Sequence, residues 1–353
     1  MNRAKVLYMG ELQAFTRSYQ RFRAIYDLSE EMEYEIMSMS DLAEKKSITL
    51  LDRLLNKLGY TAYFFELDKI NQKLTDLVFQ EKPNLLWIDK GTMVKSQTLI
   101  HIKQNFPGII LVLYSPEYIK PKHNHSKYLI QSLPLYDYWL TPMSQNCSCS
   151  WVEARKPKNT ICVNQGYDKY LHRPLELTDE EKEQLTSDVS FIGTFEKSRA
   201  NIMLNIAKAG IKVRIWGNLW QKWANSHPNL IIENKPLYGE NYIKALCGSK
   251  VNLAFLRKAN QDQQTSRTIE IPACGAFMLA ERTRELQQLF EEGKEVEFFD
   301  INNIPEMIEK IKYYLNHEEE RKAIAQAARN RCSSSKYSYK EILRPLLKKI
   351  IRL

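Results

Sequence analysis

The sequence holds no run of about 18 consecutive apolar residues, the length a membrane-spanning helix needs, so none is expected. Its opening, M-N-R-A-K-V-L-Y-M-G, passes almost at once into a strand-like stretch. It has neither the long apolar core nor the small-residue cleavage site of a secretory leader, so none is expected. Cysteine is scarce: six residues, no C-x-x-C pair, and only Cys147 and Cys149 close together. That excludes a zinc ribbon or a thioredoxin-type site and makes a reduced, cytoplasmic protein the simplest expectation. No G-x-G-x-x-G is present, so the nicotinamide-binding fingerprint is missing, and no G-x-x-x-x-G-K-[ST], so a P-loop is excluded.

What is present is an ordinary globular composition, 44% hydrophobic and 26% charged, over 353 residues, enough for two domains with a core each. The net charge of +9 suits an anionic partner, whether a nucleotide, a phospholipid surface or a nucleic acid, and does not choose among them. The basic residues are spread along the chain apart from the tail K-K-I-I-R-L, Lys348 to Leu353.

Two successive halves alternate short apolar runs with helical periodicity, the pattern of parallel sheets covered on both faces. In the first, strands are expected at Val6–Met9, Thr61–Leu67, Leu85–Asp89, Ile109–Ser115, Tyr138–Thr141 and Thr160–Val163, with helices over Leu50–Leu58 and Ile70–Phe79. Ser29 to Ser47, rich in Glu and Met, reads as a helical insertion or a mobile loop. Gly166 to Asp188 is polar, contains Pro174 and an acidic cluster, and reads as the inter-domain connection. The second half restarts with strands at Val189–Gly193, Val213–Gly217, Val251–Leu256, Phe277–Leu279 and Val296–Phe299. Helices are expected at Ser198–Lys208, Ile304–Leu315 and Glu318–Arg331.

The most informative stretch is Asp262 to Ala280, D-Q-Q-T-S-R-T-I-E-I-P-A-C-G-A-F-M-L-A. It reads as loop, helix start, short helix, glycine stop and buried strand. Free backbone N–H groups at a helix start beside Arg267 suit a phosphate, and Glu270 one turn deeper suits the hydroxyls of a ribose. Arg267 and Glu270 at i, i+3 could equally pair on a helix surface. Ligands of open α/β sheets sit at the carboxyl ends of strands, which draws attention to Gly10, to Gly193 with Lys197 and Arg199 after it, and to the loop Asp262–Arg267.

A family resemblance is carried by F-I-G-T (191–194), P-L-Y-G-E-N-Y (236–242), R-T-I-E-I-P-A-C-G-A-F-M-L (267–279), L-F-E-E-G-K-E (289–295) and Y-Y-L-N-H-E-E-E-R (313–321). In the first half L-Y-S-P-E-Y (113–118), P-L-Y-D-Y (134–138) and N-Q-G-Y-D-K-Y-L-H-R-P (164–174) join them. The chain resembles bacterial group 1 glycosyltransferases, in particular the group named after the spore-maturation protein CgeB. The resemblance implies a GT-B architecture, two Rossmann-like domains facing a cleft that takes a nucleotide-sugar. Residues 1–170 would form the acceptor-side domain and 171–335 the nucleotide-sugar domain, with a helix over 336–353 returning to the first.

The resemblance also implies roles. Relatives often carry two acidic residues with seven residues between them, matched here by Asp262 and Glu270, with Asp in place of the usual first Glu. Glu270 would hold the donor ribose and Asp262 would lie near the donor sugar. Lys197 and Arg199 would lie near the diphosphate, although Thr194 stands where an arginine usually follows the glycine. Leu237 and Tyr238 fall where the base is gripped, with a core aromatic as the other reading of Tyr238. No Asp-x-Asp occurs, in keeping with a metal-independent enzyme that needs no cofactor beyond its nucleotide-sugar substrate.

On the acceptor side, Glu117 is a candidate general base and His125 a second one. His123 and His125 form an H-x-H that could bind a metal only with a third ligand. His172 and the Trp216–Trp220 run read as structural. The C-terminal stretch Tyr339–Leu353 places Leu343, Leu346, Leu347, Ile350 and Ile351 on one helical face, which could cover the first domain or rest on an anionic membrane. The expected acceptor is a glycan, protein or lipid, and the expected location is the cytoplasm, with possible peripheral contact at the inner membrane face. A non-catalytic nucleotide-sugar sensor of the same fold is the alternative. Nucleic-acid binding rests on charge alone, without a recognition motif, and is not expected.

Overall fold

The computed structural model describes residues 3–41, 49–61 and 63–351. They divide into two compact units. The first comprises 1–164, 258–262 and 339–353, and the second 165–257 and 263–338.

In the first unit the order is β1 (Ala4–Gly10), α1 (Arg17–Met32), β2 (Tyr34–Ser40), α2 (Leu50–Lys57), α3 (Leu67–Glu81), β3 (Leu85–Asp89), α4 (Ser96–Asn105), β4 (Ile110–Tyr114), α5 (Lys127–Ser132), β5 (Tyr138–Thr141), α6 (Ser144–Ser148), α7 (Ser150–Glu153) and β6 (Asn159–Cys162). The second unit holds α8 (Asp179–Leu185), β7 (Ser187–Ile192), α9 (Lys197–Lys208), β8 (Val213–Trp216), β9 (Leu230–Ile232), α10 (Gly239–Cys247), β10 (Ser249–Ala254), α11 (Arg267–Ala273), β11 (Met278–Glu281), α12 (Arg284–Leu289), β12 (Glu297–Phe299), α13 (Ile304–Asn316) and α14 (Glu318–Ser334). The chain ends in the first unit with α15 (Tyr339–Ile351).

Each unit is built on a six-stranded sheet, ordered β2-β1-β3-β4-β5-β6 in the first and β12-β11-β10-β7-β8-β9 in the second. The strand pairs are parallel throughout. Side chains alternate across each strand, so every strand feeds two cores. Leu7, Met9, Leu86, Ile88, Leu111 and Leu113 pack on one face of the first sheet. Val6, Tyr8, Leu85, Trp87, Val112 and Tyr114 pack on the other. Both faces are thus covered, which is why these strands read as continuous apolar runs. The second sheet is built alike, with Val189, Phe191, Val213 and Ile215 on one face and Ile192, Trp216, Ala254 and Met278 on the other.

Four expectations change. Thr61–Leu67 is not a strand: Phe64–Glu66 forms one 3-10 turn leading into α3, and Ala62 lies outside the described residues. The aromatic run resembles a strand, but Leu67 is the first of a helical series with Ile70, Leu74 and Val78, all buried. The described part of Ser29–Ser47, residues 29–41, is no insertion. Its start finishes α1, which ends at Glu33 in the left-handed region (φ 55), and Tyr34–Ser40 is the edge strand β2, paired with β1 from Ala4↔Tyr34 to Gly10↔Ser40. Residues 42–48 lie outside the described residues. Gly166–Asp188 belongs to the second unit and contains α8, closed by a Thr178/Glu181 capping box and tied to α10 through Lys244 and Glu181 at 2.6 Å. Finally, not all cysteines are free: Cys147 on α6 is disulfide-bonded to Cys162 at the end of β6.

The helix α15 packs along α1. Leu343, Leu347 and Ile350 are fully buried there, and Lys340 and Arg344 both pair with Glu31 at the end of α1. No helix among the described residues is long and apolar enough to cross a membrane.

Candidate functional site

In an open parallel sheet, a crevice forms at the carboxyl ends of two neighbouring strands whose connections leave in opposite directions. The first sheet has this switch between β1 and β3, and the second between β7 and β10.

The first switch point is filled by the protein itself. Arg21 of α1 makes a two-pronged pair with Asp89 at the end of β3, at 2.6 and 2.8 Å, with both side chains buried. The Tyr8 hydroxyl donates to Asp89 at 2.9 Å, and the Arg21 guanidinium lies 4.2 Å from the centre of the Tyr114 ring. Gly10, at the end of β1, leaves room for this cluster: a Cβ there would lie 2.4 Å from Ser18 Oγ and 2.9 Å from Asp89 Cβ. Beside it, Asp41 donates its backbone N–H to the Gly10 carbonyl at 3.1 Å. Burial, together with the Asp89 and Glu11 carboxylates and partly offset by Lys90, pushes the Asp41 carboxyl up to about 7.

At the second switch point two glycines let the backbones touch. Gly193 donates to the Trp216 carbonyl at 2.8 Å and accepts from Trp220 Nε1 at 2.9 Å. Gly217 (φ 156) could carry no Cβ, since one would lie 1.9 Å from the Gly193 oxygen. Two guanidiniums flank the ring of Phe191, Arg199 at 5.7 Å and Arg267 at 6.0 Å from its centre. Arg199 is buried, donates to the Leu256 carbonyl at 2.9 Å and lies 3.5 Å from Glu196, so its charge is met within the unit. Lys197, the first residue of α9, is exposed.

The loop after β10 leads to α11. Thr265 and Thr268 bond reciprocally across its start, at 3.2 and 2.6 Å. Pro272 and the left-handed Gly275 (φ 67) stop it after two turns. The helix packs on α14, and Thr268 to Ala273 are buried.

Glu270 is only 1% exposed. Its Oε2 accepts from the Tyr242 hydroxyl of α10 at 2.8 Å, and its Oε1 lies 3.8 Å from Nε2 of the buried His172. His172 Nδ1 accepts the Asp168 N–H at 3.0 Å, which leaves the proton of a neutral ring on Nε2, toward Glu270. His172 stands edge-on to Tyr242, with ring centres 6.4 Å apart. Tyr242 is not among the site residues expected from the sequence, and His172 reads there as structural. Tyr242 ends the P-L-Y-G-E-N-Y motif, but nothing local ties it to Glu270.

Leu237 packs on the core beside α10. Tyr238, at the start of that helix, is 53% exposed and is not a core aromatic.

The remaining candidates lie in the first unit. Glu117 is half-buried and accepts from Asn260 Nδ2 at 3.0 Å, within the segment 258–262. Asn260 Oδ1 also accepts from Asn124 Nδ2 at 2.9 Å and lies 3.3 Å from His123 Nε2. His125 instead directs Nδ1 to the Ile119 carbonyl and stacks on Trp151, so the two histidines turn to different partners. Among the described residues no group of three His, Cys, Asp or Glu is placed to hold a metal ion. Asp262 is half-buried in the same segment, so the seven-residue spacing to Glu270 spans the boundary between the units.

The two Rossmann-like sheets define the class: the fold is that of GT-B glycosyltransferases. Residues 199–348 match the family described as glycosyl transferase-like. No curated protein sequence matches the chain. Among solved structures, sucrose-phosphate synthase from Thermosynechococcus elongatus is similar at a TM-score of 0.68 and 12% identity, covering 98% of each chain. HepE from Anabaena in complex with UDP is similar at 0.63 and 10% identity, covering 99% of this chain and 100% of that one. Its complex with UDP-glucose gives 0.62 and 11% over the same shares. An alpha-glucosyltransferase in complex with UDP and a 13-mer DNA containing an HMU base gives 0.67 and 13%, covering both chains completely.

Proposed function

We propose that this protein is a glycosyltransferase that moves a hexosyl group from a nucleoside-diphosphate-sugar to a glycan, protein or lipid acceptor. The observation that carries the reading is the seat of Glu270. Inside the matched segment, one turn into a helix that follows the switch-point strand, a carboxylate is oriented by Tyr242 and His172. Aimed carboxylates of this kind accept from paired ribose hydroxyls. Because the side chain is buried, a ribose reaches it only when the groups covering it shift. The nucleotide complexes of the similar structures support a donor of the UDP-sugar type.

The chemistry follows from charge. Breaking the sugar–phosphate bond leaves negative charge on the diphosphate, which Arg267 and the exposed Lys197 are proposed to meet, assisted by the start of α9. Arg199, already paired with Glu196, would position the loop around Phe191. Tyr238 is proposed to cover the base, with Leu237 behind it. Asp262 is assigned to the donor sugar, and Glu117 or His125 to deprotonation of the acceptor hydroxyl. Transfer is proposed to need no metal, on the lack of an Asp-x-Asp motif.

A thermal-shift screen with UDP-, GDP-, ADP- and TDP-sugars tests the donor. A ligand that binds only the folded state at about 100 times its Kd adds about 2.7 kcal/mol of apparent stability. A shift with one nucleotide class that Glu270→Ala abolishes, followed by sugar release or transfer, supports the reading. Binding without turnover across acceptors would indicate a sensor instead, and no shift with any of the four would sink the donor assignment.

A further inference from the structure

The helix α2 is turned inside out. Its polar residue Asp52 is buried, held by Thr49 in a reciprocal capping box. Leu55 is half-buried, but the other leucines face solvent: Leu50 is 83% exposed, Leu51 50%, Leu54 54% and, just past the end, Leu58 66%. At the helical turn per residue these four fall within an arc of about 100°. Phe65, in the 3-10 turn that follows, is 56% exposed. A leucine left in water forgoes roughly 1.5–3 kcal/mol of burial. Three on one short helix, with a fourth just past its end, are therefore a surface awaiting a partner rather than scattered apolar residues.

Among the described residues of α2 the free charges are cations. Arg53 and Lys57, both exposed, border the leucine arc on the same side, and the only acid of the helix is consumed by its cap. Lys127, whose N–H bonds the Gly59 carbonyl at 2.7 Å and whose ammonium sits 3.4 Å from the centre of the Tyr60 ring, adds a cation next to the helix end. A second copy of the chain is a poor fit: a two-fold contact would set Arg53 and Lys57 against their own equivalents, and eight residues cannot supply the roughly 800 Å² per partner of a stable dimer. An apolar stripe edged by cations whose stems can reach sideways is the arrangement of a helix lying in an anionic bilayer surface. The C-terminal helix α15, the element whose sequence suggested such a role, has its apolar side already buried on α1.

We propose that α2, through Leu50, Leu51, Leu54 and Leu58 with Arg53 and Lys57, docks this protein on an anionic membrane surface. The contact is independent of the donor assignment: none of the residues assigned to the donor lies on α2.

Flotation of the full chain with vesicles of phosphatidylcholine alone, or with 30 mol% phosphatidylglycerol (about a third anionic), tests it. The expected result is association with the anionic vesicles that weakens with salt. It should fall at least about tenfold in Leu50→Ser/Leu54→Ser/Leu58→Ser and in Arg53→Glu/Lys57→Glu. Because these side chains are exposed, both variants should keep the wild-type melting temperature within about 2 °C, and with it the donor-induced shift. A single Leu54→Trp reporter should blue-shift its emission on adding anionic vesicles. No association, association that the substitutions leave unchanged, or a wild-type dimer that the triple variant converts to monomer in light scattering would each overturn the proposal.

Discussion

The Tyr242 hydroxyl donates to Glu270 Oε2 across 2.8 Å, tying the start of α10 to the first turn of α11. Two short helices that follow different strands thereby share one buried carboxylate. Removing the hydroxyl leaves a buried anion short of a donor, a loss of about 1–3 kcal/mol. Tyr242→Phe is therefore expected to lower the melting temperature and to weaken donor binding several-fold, whereas Glu270→Gln keeps the shape and loses the charge. Isothermal titration with the nucleotide-sugar picked out by the screen checks this. Equal donor affinity in wild type and both variants would detach Glu270 from the ribose.

The plug at the first switch point makes a separate prediction. Arg21 and Asp89 are both buried and doubly bonded. Breaking one partner of such a pair costs about 3–5 kcal/mol because the other charge stays buried. Asp89→Asn is expected to lower stability by that order, and Arg21→Met with Asp89→Leu to recover much of it. Gly10→Ala should also destabilise, since its Cβ would crowd Ser18 Oγ at 2.4 Å. Denaturant unfolding of the three variants checks the order. A neutral Gly10→Ala with weakened donor binding would instead return Gly10 to a ligand role.

Asp41 predicts a pH dependence. Its carboxyl rises from 3.8 to about 7, so between those values the folded chain binds a proton that the unfolded chain has released. Stability carried by this group is therefore present at low pH and is lost as pH climbs from about 4 to 7. A shift of this size would be worth about 4 kcal/mol at most, and partial exposure reduces it to about 1–2. Asp41→Asn should gain that amount at pH 8 and almost nothing at pH 4.5. Melting curves at the two values decide, and an equal gain at both would refute the linkage.

How much of this was legible in the sequence depends on where each residue sits. Strands such as Leu85–Asp89 and Ile110–Tyr114 are buried on both faces, and their unbroken apolar runs announce them. The edge strands β2 and β9 are half-exposed, so Y-E-I-M-S-M-S and L-I-I carry too little pattern to separate from loop or helix. Glu270 was readable because local signals surround it: polar loop, helix start and glycine stop. His172 and Tyr242 were not, because only the fold brings them to that carboxylate. Likewise nothing local shows that Gly10 makes space for Asp89, or that Asp52 rather than the leucines of α2 turns inward.

The acceptor side is tested through Glu117 and His125, which the structure holds in different ways. Asn260 fixes Glu117 by donating to Oε2. His125 spends Nδ1 on the Ile119 carbonyl, so in the neutral ring Nε2 keeps its lone pair, and stacking on Trp151 holds the ring plane. Either can accept a proton, and loss of a general base lowers turnover by about 10²–10⁴-fold. The residue that acts as base should lose kcat by that factor on Glu117→Gln or His125→Gln, while the donor-induced thermal shift stays at its wild-type value. Asn260→Ala separates the two: it should reduce kcat if Glu117 is the base and leave it unchanged if His125 is. Two glutamine variants that both hold kcat within about threefold would remove both residues from the proton transfer.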